Sequence, residues 1–291
     1  MVTTSREVRI EVSTKCNYNC QICARQYMRR LQQIMPTEIF RMLLDKIQAE
    51  THGQFKFCDF SGMGEPLMDP DLVSKIAFAA NGHKMTTILI TNGSLLTPDR
   101  FFELQRAGLN YVRISMHEIP GNINAYTAAH GCNEAQAIAA RYNILDILSG
   151  PRAAKVGIHI TTQEAYEDQI EEIKTYFKGA DSIEIWRPHN WAGAFAFRPQ
   201  SKRKKKCTRI QSGPLQVQVD TAVTACCFDS DGKTVAGSLM VESLEAIYAK
   251  MQPAEICRTC DQRQSTRSAL IYSSIGGKDR TQLTSSSLTK F

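Results

Sequence analysis

Short alternating or apolar runs recur between amphipathic stretches over the first two-thirds of the chain. Residues 7–14 (EVRIEVST) set Val8, Ile10 and Val12 between polar neighbours, the period-two pattern of a half-buried strand. Residues 36–50 open with a proline at a first-turn position and repeat Ile39, Met42, Leu43 and Ile47 at helical spacing. A strand at 56–62, a helix at 69–82 closed by Gly82, a strand at 85–93, a helix at 97–108 with Thr97 as N-cap, and a strand at 111–117 follow. A helix at 134–148, a strand at 155–162, a helix at 166–179 and a strand at 182–189 complete six strand–helix alternations. Such an order predicts an α/β fold of parallel strands joined by crossover helices. The first strand-to-helix turn has no dinucleotide glycine fingerprint, and no fixed-period repeat is present.

After Trp191 the periodicity fades. Residues 192–215 read as a linker, 216–220 and 222–227 as two short strands around a tight turn, and 243–251 as a short helix leading into a CxxC at Cys257 and Cys260. The Ser-, Thr- and Lys-rich stretch from 272 predicts a frayed tail. The expected organisation is a large α/β domain over 1–195, a small cysteine-bearing domain over 196–271 and a flexible tail over 272–291.

Composition narrows the function classes. With 291 residues, 43% hydrophobic and 22% charged, the chain is ordinary for a globular protein. No apolar run approaches the roughly 18 residues of a membrane span, and the segment MVTTSREVRIEV lacks the basic and apolar regions of a signal peptide. The expectation is a cytoplasmic protein with no membrane partner. Ten cysteines in that setting point to metal ligands or catalytic groups rather than disulfides. Cys58, in KFCDF, reads as a buried small apolar strand residue, and Cys132 takes no role. The net charge of +6 is mild, but Lys202, Arg203, Lys204, Lys205 and Lys206 run together between Arg198 and Arg209. That run reads either as a solvated linker or as a contact for phosphates of a nucleic acid or nucleotide.

The segment CNYNCQIC puts thiols at Cys16, Cys20 and Cys23 directly after the first strand. A loop of this length can wrap three thiolates around one face of a cubane cluster, leaving one iron open to another ligand. That open iron corresponds to the open position of a catalytic zinc. A structural zinc would want a fourth Cys or His, but residues 1–51 hold none beyond the triad.

This CxxxCxxC, together with Gly62-Met63-Gly64-Glu65-Pro66 after the second strand, resembles the signature of the radical S-adenosylmethionine (SAM) superfamily, and the βα pattern matches it over 7–190. The resemblance implies a partial (β/α)6 TIM-type barrel and a [4Fe–4S] cluster on Cys16, Cys20 and Cys23. SAM would chelate the open iron, and its reductive cleavage would give a 5′-deoxyadenosyl radical that abstracts a substrate hydrogen. It also implies an external one-electron reductant of flavodoxin or ferredoxin type. Gly62 and Gly64 would let the backbone approach the methionyl group, and Glu65 would accept from its ammonium, with Pro66 completing the motif. A plain strand-to-helix turn explains the glycines and proline but gives no reason for Glu65. Asn92 and Ser115 stand where related enzymes contact the SAM ribose; the acidic residue common two past that serine is replaced by His117, then Glu118. By barrel logic His159, Thr161, Trp186, Arg187 and His189 should face the barrel mouth, Arg187 as an anchor for the SAM carboxylate or the substrate.

Cys207, Cys226, Cys227, Cys257 and Cys260 resemble the twitch domain, the shortened SPASM domain. That resemblance implies a second [4Fe–4S] cluster on Cys207, Cys226, Cys257 and Cys260, with Cys227 exchangeable for Cys226, since adjacent strand residues point opposite ways. A four-cysteine zinc ribbon is the alternative, although only one CxxC is present. The basic run before Cys207 directs the main expectation to hydrogen abstraction and rearrangement on a nucleotide- or DNA-borne modified base, as in phage-type thymidine hypermodification. The alternatives are an epimerase or dehydrogenase of an aminosugar or other small metabolite, and a peptide-modifying enzyme. A zinc-stabilised nucleic-acid-binding module would leave the triad and Gly-x-Gly-Glu-Pro unexplained.

Overall fold

A computed structural model of the chain describes residues 3–162, 167–197, 207–264, 269–275 and 278–281. Strands β1 (Glu7–Ile10), β2 (Phe57–Phe60), β3 (Thr86–Thr91), β4 (Leu109–Met116), β5 (Lys155–Thr161) and β6 (Ser182–Trp186) pair in parallel, in sequence order. Between them run helices α1 (Thr37–Glu50), α2 (Leu72–Ala77), α3 (Pro98–Ala107), α4 (Ile123–His130), α5 (Glu134–Ser149) and α6 (Ile170–Tyr176). This is the parallel βα order the alternation predicts, in the partial (β/α)6 barrel the resemblance implies.

One face of each strand lies under the helices. Val8, Ile10, Cys58, Phe60, Leu89, Val112, Ile114, Val156, Ile158 and Ile185 are buried in one core with Phe40, Leu43, Leu44 and Ile47 of α1 and with Phe101 and Leu104 of α3. Each large side chain so buried contributes roughly 1.5–3 kcal/mol. The α1 stripe is therefore 40/43/44/47, the i, i+3, i+4, i+7 pattern, and Met42, expected in the core, is 42% exposed on the far side. Thr97 caps α3 by accepting from the Arg100 N–H at 3.2 Å. The helix expected to end at Gly82 does so, α2 passing directly into a π turn over Phe78–Gly82. Helix α4 was not anticipated, although Asn122 caps its start and Gly131, at φ 55, ends it.

The alternate strand positions face the barrel interior and are mostly polar: Arg9, Asp59, Arg113, Ser115, His159, Glu184 and the indole of Trp186, with Ile88 and Ile90 of β3 among them. Both edges of this open sheet are covered by the C-terminal part of the chain. Strand β7 (Leu215–Val217) pairs in parallel with β1, followed by antiparallel β8 (Ala222–Thr224) and β9 (Val235–Ser238). Strand β10 (Leu270–Ile275) pairs antiparallel with β6 and carries β11 (Lys278–Thr281). The result is one eleven-stranded sheet, so the cysteine-bearing hairpin extends the barrel's own sheet. The frayed tail expected from 272 is also corrected as far as 281: Leu270, Ile271 and Tyr272 are buried, and the strand pairing satisfies the β6 edge. Short helices α7 (Arg209–Ser212), α8 (Leu244–Lys250), α9 (Ile256–Thr259) and α10 (Asp261–Gln264) complete the C-terminal part. The basic residues Arg198 and Lys202 to Lys206 lie outside the described residues. Among the described residues no helix is long and apolar enough to cross a membrane.

Candidate iron–sulfur and cofactor site

The triad lies in the loop that leaves β1 at the C-terminal end of the parallel strands, the end where βα barrels carry their chemistry. Backbone bonds fix this loop from several sides. The Thr14 N–H donates to Gln33 O, Asn19 N–H to His130 O, Gln21 N–H to Ala129 O and Glu65 N–H to Lys15 O, all at 2.8–3.0 Å. Helix α4 therefore serves as a shelf for the triad loop. Gly131 must be small for the same reason: a Cβ there would come within 2.3 Å of Asn19 O.

Cys16, Cys20 and Cys23 are half-buried free thiols. Burial pushes the Cys16 thiol up to about 11, and it raises Cys20 and Cys23 as well. The charges of Cys23 and Cys16 add to the rise at Cys20, while the Arg25 guanidinium opposes it at all three. Three desolvated thiols that repel one another as thiolates suit a cationic centre, which would favour their ionised form. The Tyr18 N–H also reaches the Cys16 sulfur at 3.5 Å, as expected for a thiolate ligand. Among the described residues no three His, Cys, Asp or Glu side chains are grouped around one metal ion, whereas cubane ligands each hold a separate iron. The donor set fits a [4Fe–4S] cluster.

The Gly-x-Gly-Glu-Pro loop follows β2 and packs against the same stalk. A Cβ on Gly62 would meet Glu11 Cγ at 2.3 Å, and one on Gly64 would meet Ser13 O at 2.4 Å and Lys15 O at 2.6 Å. Both glycines are thus required by the close approach of the chain that leaves β1, a protein contact in addition to the ligand approach expected of them. Glu65 is 2% exposed; its Oε1 accepts from the Leu67 N–H (3.0 Å) and Thr91 Oγ1 (2.8 Å), and its Oε2 from the Asn92 N–H (2.8 Å). The carboxylate therefore ties the end of β2 to the end of β3, which supplies the reason a simple turn lacked. Burial lifts its pKa to about 7, against those three hydrogen bonds. Pro66 is buried at the start of the 3-10 turn Pro66–Met68. Asn92 Nδ2 donates to Asn17 Oδ1 at 3.0 Å, and Asn17 Nδ2 donates to Ser94 Oγ at 2.8 Å, so Asn92 braces the triad loop.

Ser115 is half-buried on β4, opposite His159 in register. In place of an acid two residues on, His117 points Nδ1–H at Thr161 O (3.0 Å), and its ring stacks on His130 with centroids 5.1 Å apart. A carbonyl can only accept, so Nδ1 carries the hydrogen. Burial lowers His117 to about 4 and His130 to about 3, and both are neutral. His159 Nδ1 stands 3.7 Å from Glu184 Oε2, which accepts from Trp186 Nε1 at 3.1 Å. Arg187 is half-buried just beyond β6, with its N–H bonded to Ala269 O.

Sequence reasoning missed Glu11. Its carboxylate pairs bidentately with Arg30 (2.7 and 3.0 Å) and accepts from the Met63 N–H (2.8 Å) and the Val219 N–H (3.0 Å). One side chain thus joins β1, the triad loop, the glycine loop and the C-terminal hairpin. Its place in EVRIEV, as one more alternating polar residue, carries no signal of this.

The second cysteine group is gathered less tightly. Cys207 is exposed, Cys226, Cys227 and Cys257 are half-buried, and Cys260 is buried. Asp261 and Asn190 exchange hydrogen bonds of 2.9 and 3.0 Å, tying the CxxC segment to the end of β6. Phe228 packs on His189 (3.8 Å between centroids), His189 on Trp191 (4.4 Å), and Trp191 Nε1 donates to Ile22 O in the triad loop at 2.7 Å. An aromatic bridge therefore connects the two cysteine regions.

A partial βα barrel with a backbone-pinned thiol triad at the C-terminal end of its strands defines the class of fold and site. The sequence profile described as "Radical SAM superfamily" matches residues 10–143. Over that segment the chain carries the sequence pattern of the radical SAM superfamily. It is 31% identical over 127 residues to the tungsten-containing aldehyde ferredoxin oxidoreductase cofactor-modifying protein of Pyrococcus furiosus, covering 42% of this chain and 33% of that protein. Each such alignment spans only about a third of the curated relative's length. Among solved structures, BtrN in complex with AdoMet and 2-DOIA superposes with a TM-score of 0.58 at 17% identity, covering 85% of this chain and 83% of BtrN. Streptococcus suis SuiB bound to precursor peptide SuiA superposes with a TM-score of 0.63 at 12% identity, covering 89% and 70%. These two likenesses establish the shared fold. They hold a small molecule and a peptide, and lend the expected nucleobase substrate no support.

Proposed function

We propose that this radical SAM enzyme abstracts hydrogen from a small polar metabolite carrying hydroxyl or amino groups, in a dehydrogenation or epimerisation. The observation that carries the reading is the barrel interior, where both charge signs face one space: Arg9 paired with Glu7 (2.5 Å) and Asp59 (3.3 Å), with Arg113, His159 and Glu184 across from them. Among the described residues Asp59 Oδ1 and His159 Nδ1 are buried there without hydrogen-bond partners. Such groups cost about 1–3 kcal/mol each unless a ligand satisfies them. A lumen of mixed sign suits a small zwitterionic or polyhydroxylated substrate better than a polyphosphate backbone. Fold likeness to BtrN, which holds 2-DOIA, supports the same choice.

In this reading Cys16, Cys20 and Cys23 hold a [4Fe–4S] cluster, and the loop Gly62 to Pro66 with Asn92 and Ser115 forms the wall for SAM. When bound and reduced by an external one-electron donor, these groups supply a 5′-deoxyadenosyl radical that removes a substrate hydrogen atom. The chain's own contribution is placement. Glu65 and Asn92 lock the loops that face the cofactor, and the helix-covered sheet closes the other side of the strands. Cys207, Cys226, Cys257 and Cys260 hold a second cluster, for which the division 1–195 and 196–271 marks the two functional segments. A peptide-borne residue is the second reading, supported by the likeness to SuiB with its bound precursor peptide.

The test incubates the anaerobically reconstituted enzyme with SAM and dithionite, adding 2-DOIA-like amino alcohols, peptides or oligonucleotides in separate arms. Stimulated 5′-deoxyadenosine release in the small-molecule arm is expected. Stimulation by oligonucleotides alone would contradict the reading, and stimulation by peptides alone would favour the second.

A further inference from the structure

Arg209, which opens α7, stands among the C-terminal cysteines. Its Nη1 donates to Cys227 Sγ at 3.2 Å, and its guanidinium lies 4.6 Å from the centre of the Phe228 ring. Its charge acts on Cys227, Cys226 and Cys207, and Cys260 feels it in turn. Among the described residues it has no carboxylate partner, and the Arg9 guanidinium pushes against it. A half-buried cation in that position wants an anionic neighbour, and its hydrogen-bond partner is a sulfur. The adjacent cysteines divide their roles: Cys226 Sγ accepts from the Phe228 N–H at 3.4 Å, the same i+2 contact Tyr18 makes to Cys16, while Cys227 faces the guanidinium.

We infer that Arg209 is a positioning residue that raises the reduction potential of the second iron–sulfur cluster by holding a fixed positive charge at Cys227, directly beside the ligand Cys226 and two residues from the ligand Cys207. This rests on the second cluster of the proposed function. A cubane with four thiolates is net negative and more so when reduced, so a fixed cation stabilises the reduced form more. Net charge and hydrogen bonds to sulfur are the protein's main levers on such potentials. The aromatic bridge through Phe228, His189 and Trp191 anchors the guanidinium against the barrel, so its distance to the sulfurs is held by packing.

The test uses the full-length, anaerobically reconstituted chain carrying Cys16→Ala, Cys20→Ala and Cys23→Ala, so that only the second cluster is loaded. Electron paramagnetic resonance follows its reduction in a potentiometric titration. Arg209→Gln and Arg209→Met should each raise the oxidised-to-reduced ratio at the parent's midpoint about tenfold, about 59 mV for one electron, towards lower potential. Arg209→Lys, which keeps the charge, should stay near the parent. A midpoint unmoved by both neutral variants would overturn the inference while leaving the second cluster intact. Failure of both neutral variants to load iron, with Arg209→Lys loading normally, would also overturn it, in favour of a role in assembly. A parent chain that loads no cluster overturns the second-cluster reading, and this inference with it.

Discussion

The two cysteine regions are built on opposite terms. The N-terminal triad is held by backbone: its loop is bonded to α4, to the glycine loop and to the segment before α1, and two glycines exist to let that packing happen. The C-terminal cysteines are held by side chains, around one guanidinium and an aromatic bridge, with Cys207 exposed at one end. A backbone-made site tolerates few substitutions in its surroundings, whereas a charge-made site is tuned by single side chains. On the function proposed above, the difference would suit an invariant reaction at one centre and an adjustable potential at the other.

That comparison can be broken in graded steps. The largest effect is expected from Cys16→Ala, Cys20→Ala and Cys23→Ala together, which should reduce SAM cleavage to background while the second cluster still loads; iron and sulfide analysis checks both halves. Next comes Glu11→Ala, which strands Arg30 and two backbone N–H groups and should cost about 3–5 kcal/mol in denaturant unfolding. Lys75→Ala should cost a similar amount, because it leaves the fully buried Asp69 without the partner that stands 2.5 Å away. Unlike Glu11→Ala, it should leave the second cluster unperturbed. Gly64→Ala forces the Ser13 and Lys15 carbonyls to move and should cost about 1–3 kcal/mol, with lower iron content at the triad.

A graded effect, spread over pH and only partly expressed at any one pH, concerns Glu65. Its folded pKa of about 7 exceeds the unfolded 4.5, so the folded state holds the proton more firmly. Its contribution is fully present below pH 4.5 and is lost as pH rises through 7, by roughly 3 kcal/mol for a shift of this size. Unfolding of the SAM-free protein should show this slope, and Glu65→Gln should abolish it. A slope of the opposite sign would mean that the three hydrogen bonds outweigh burial.

How much was legible in the sequence follows the same divide. The strand–helix order and the triad depend on local period and spacing, which a sequence carries directly. The reasons for Gly62, Gly64 and Glu65 did not, since each depends on a partner far along the chain: Glu11, Ser13 and Lys15, and Thr91 with Asn92. Glu11 itself looked like routine strand alternation. Helix α4 escapes a sequence reading because its eight residues, INAYTAAH, have little apolar periodicity, and its stability comes from stacking Tyr126 and His130 (3.8 Å) beneath the triad loop. Strands β10 and β11 were lost to composition, because serine and threonine suit an edge-covering strand as well as a tail.

The central claim is that the triad supports reductive SAM cleavage. The direct measurement is 5′-deoxyadenosine formed per enzyme by the anaerobically reconstituted, dithionite-reduced chain, beside the triple alanine variant. Multiple turnovers that vanish in the variant are predicted. A fully iron-loaded triad that forms no 5′-deoxyadenosine would contradict the account.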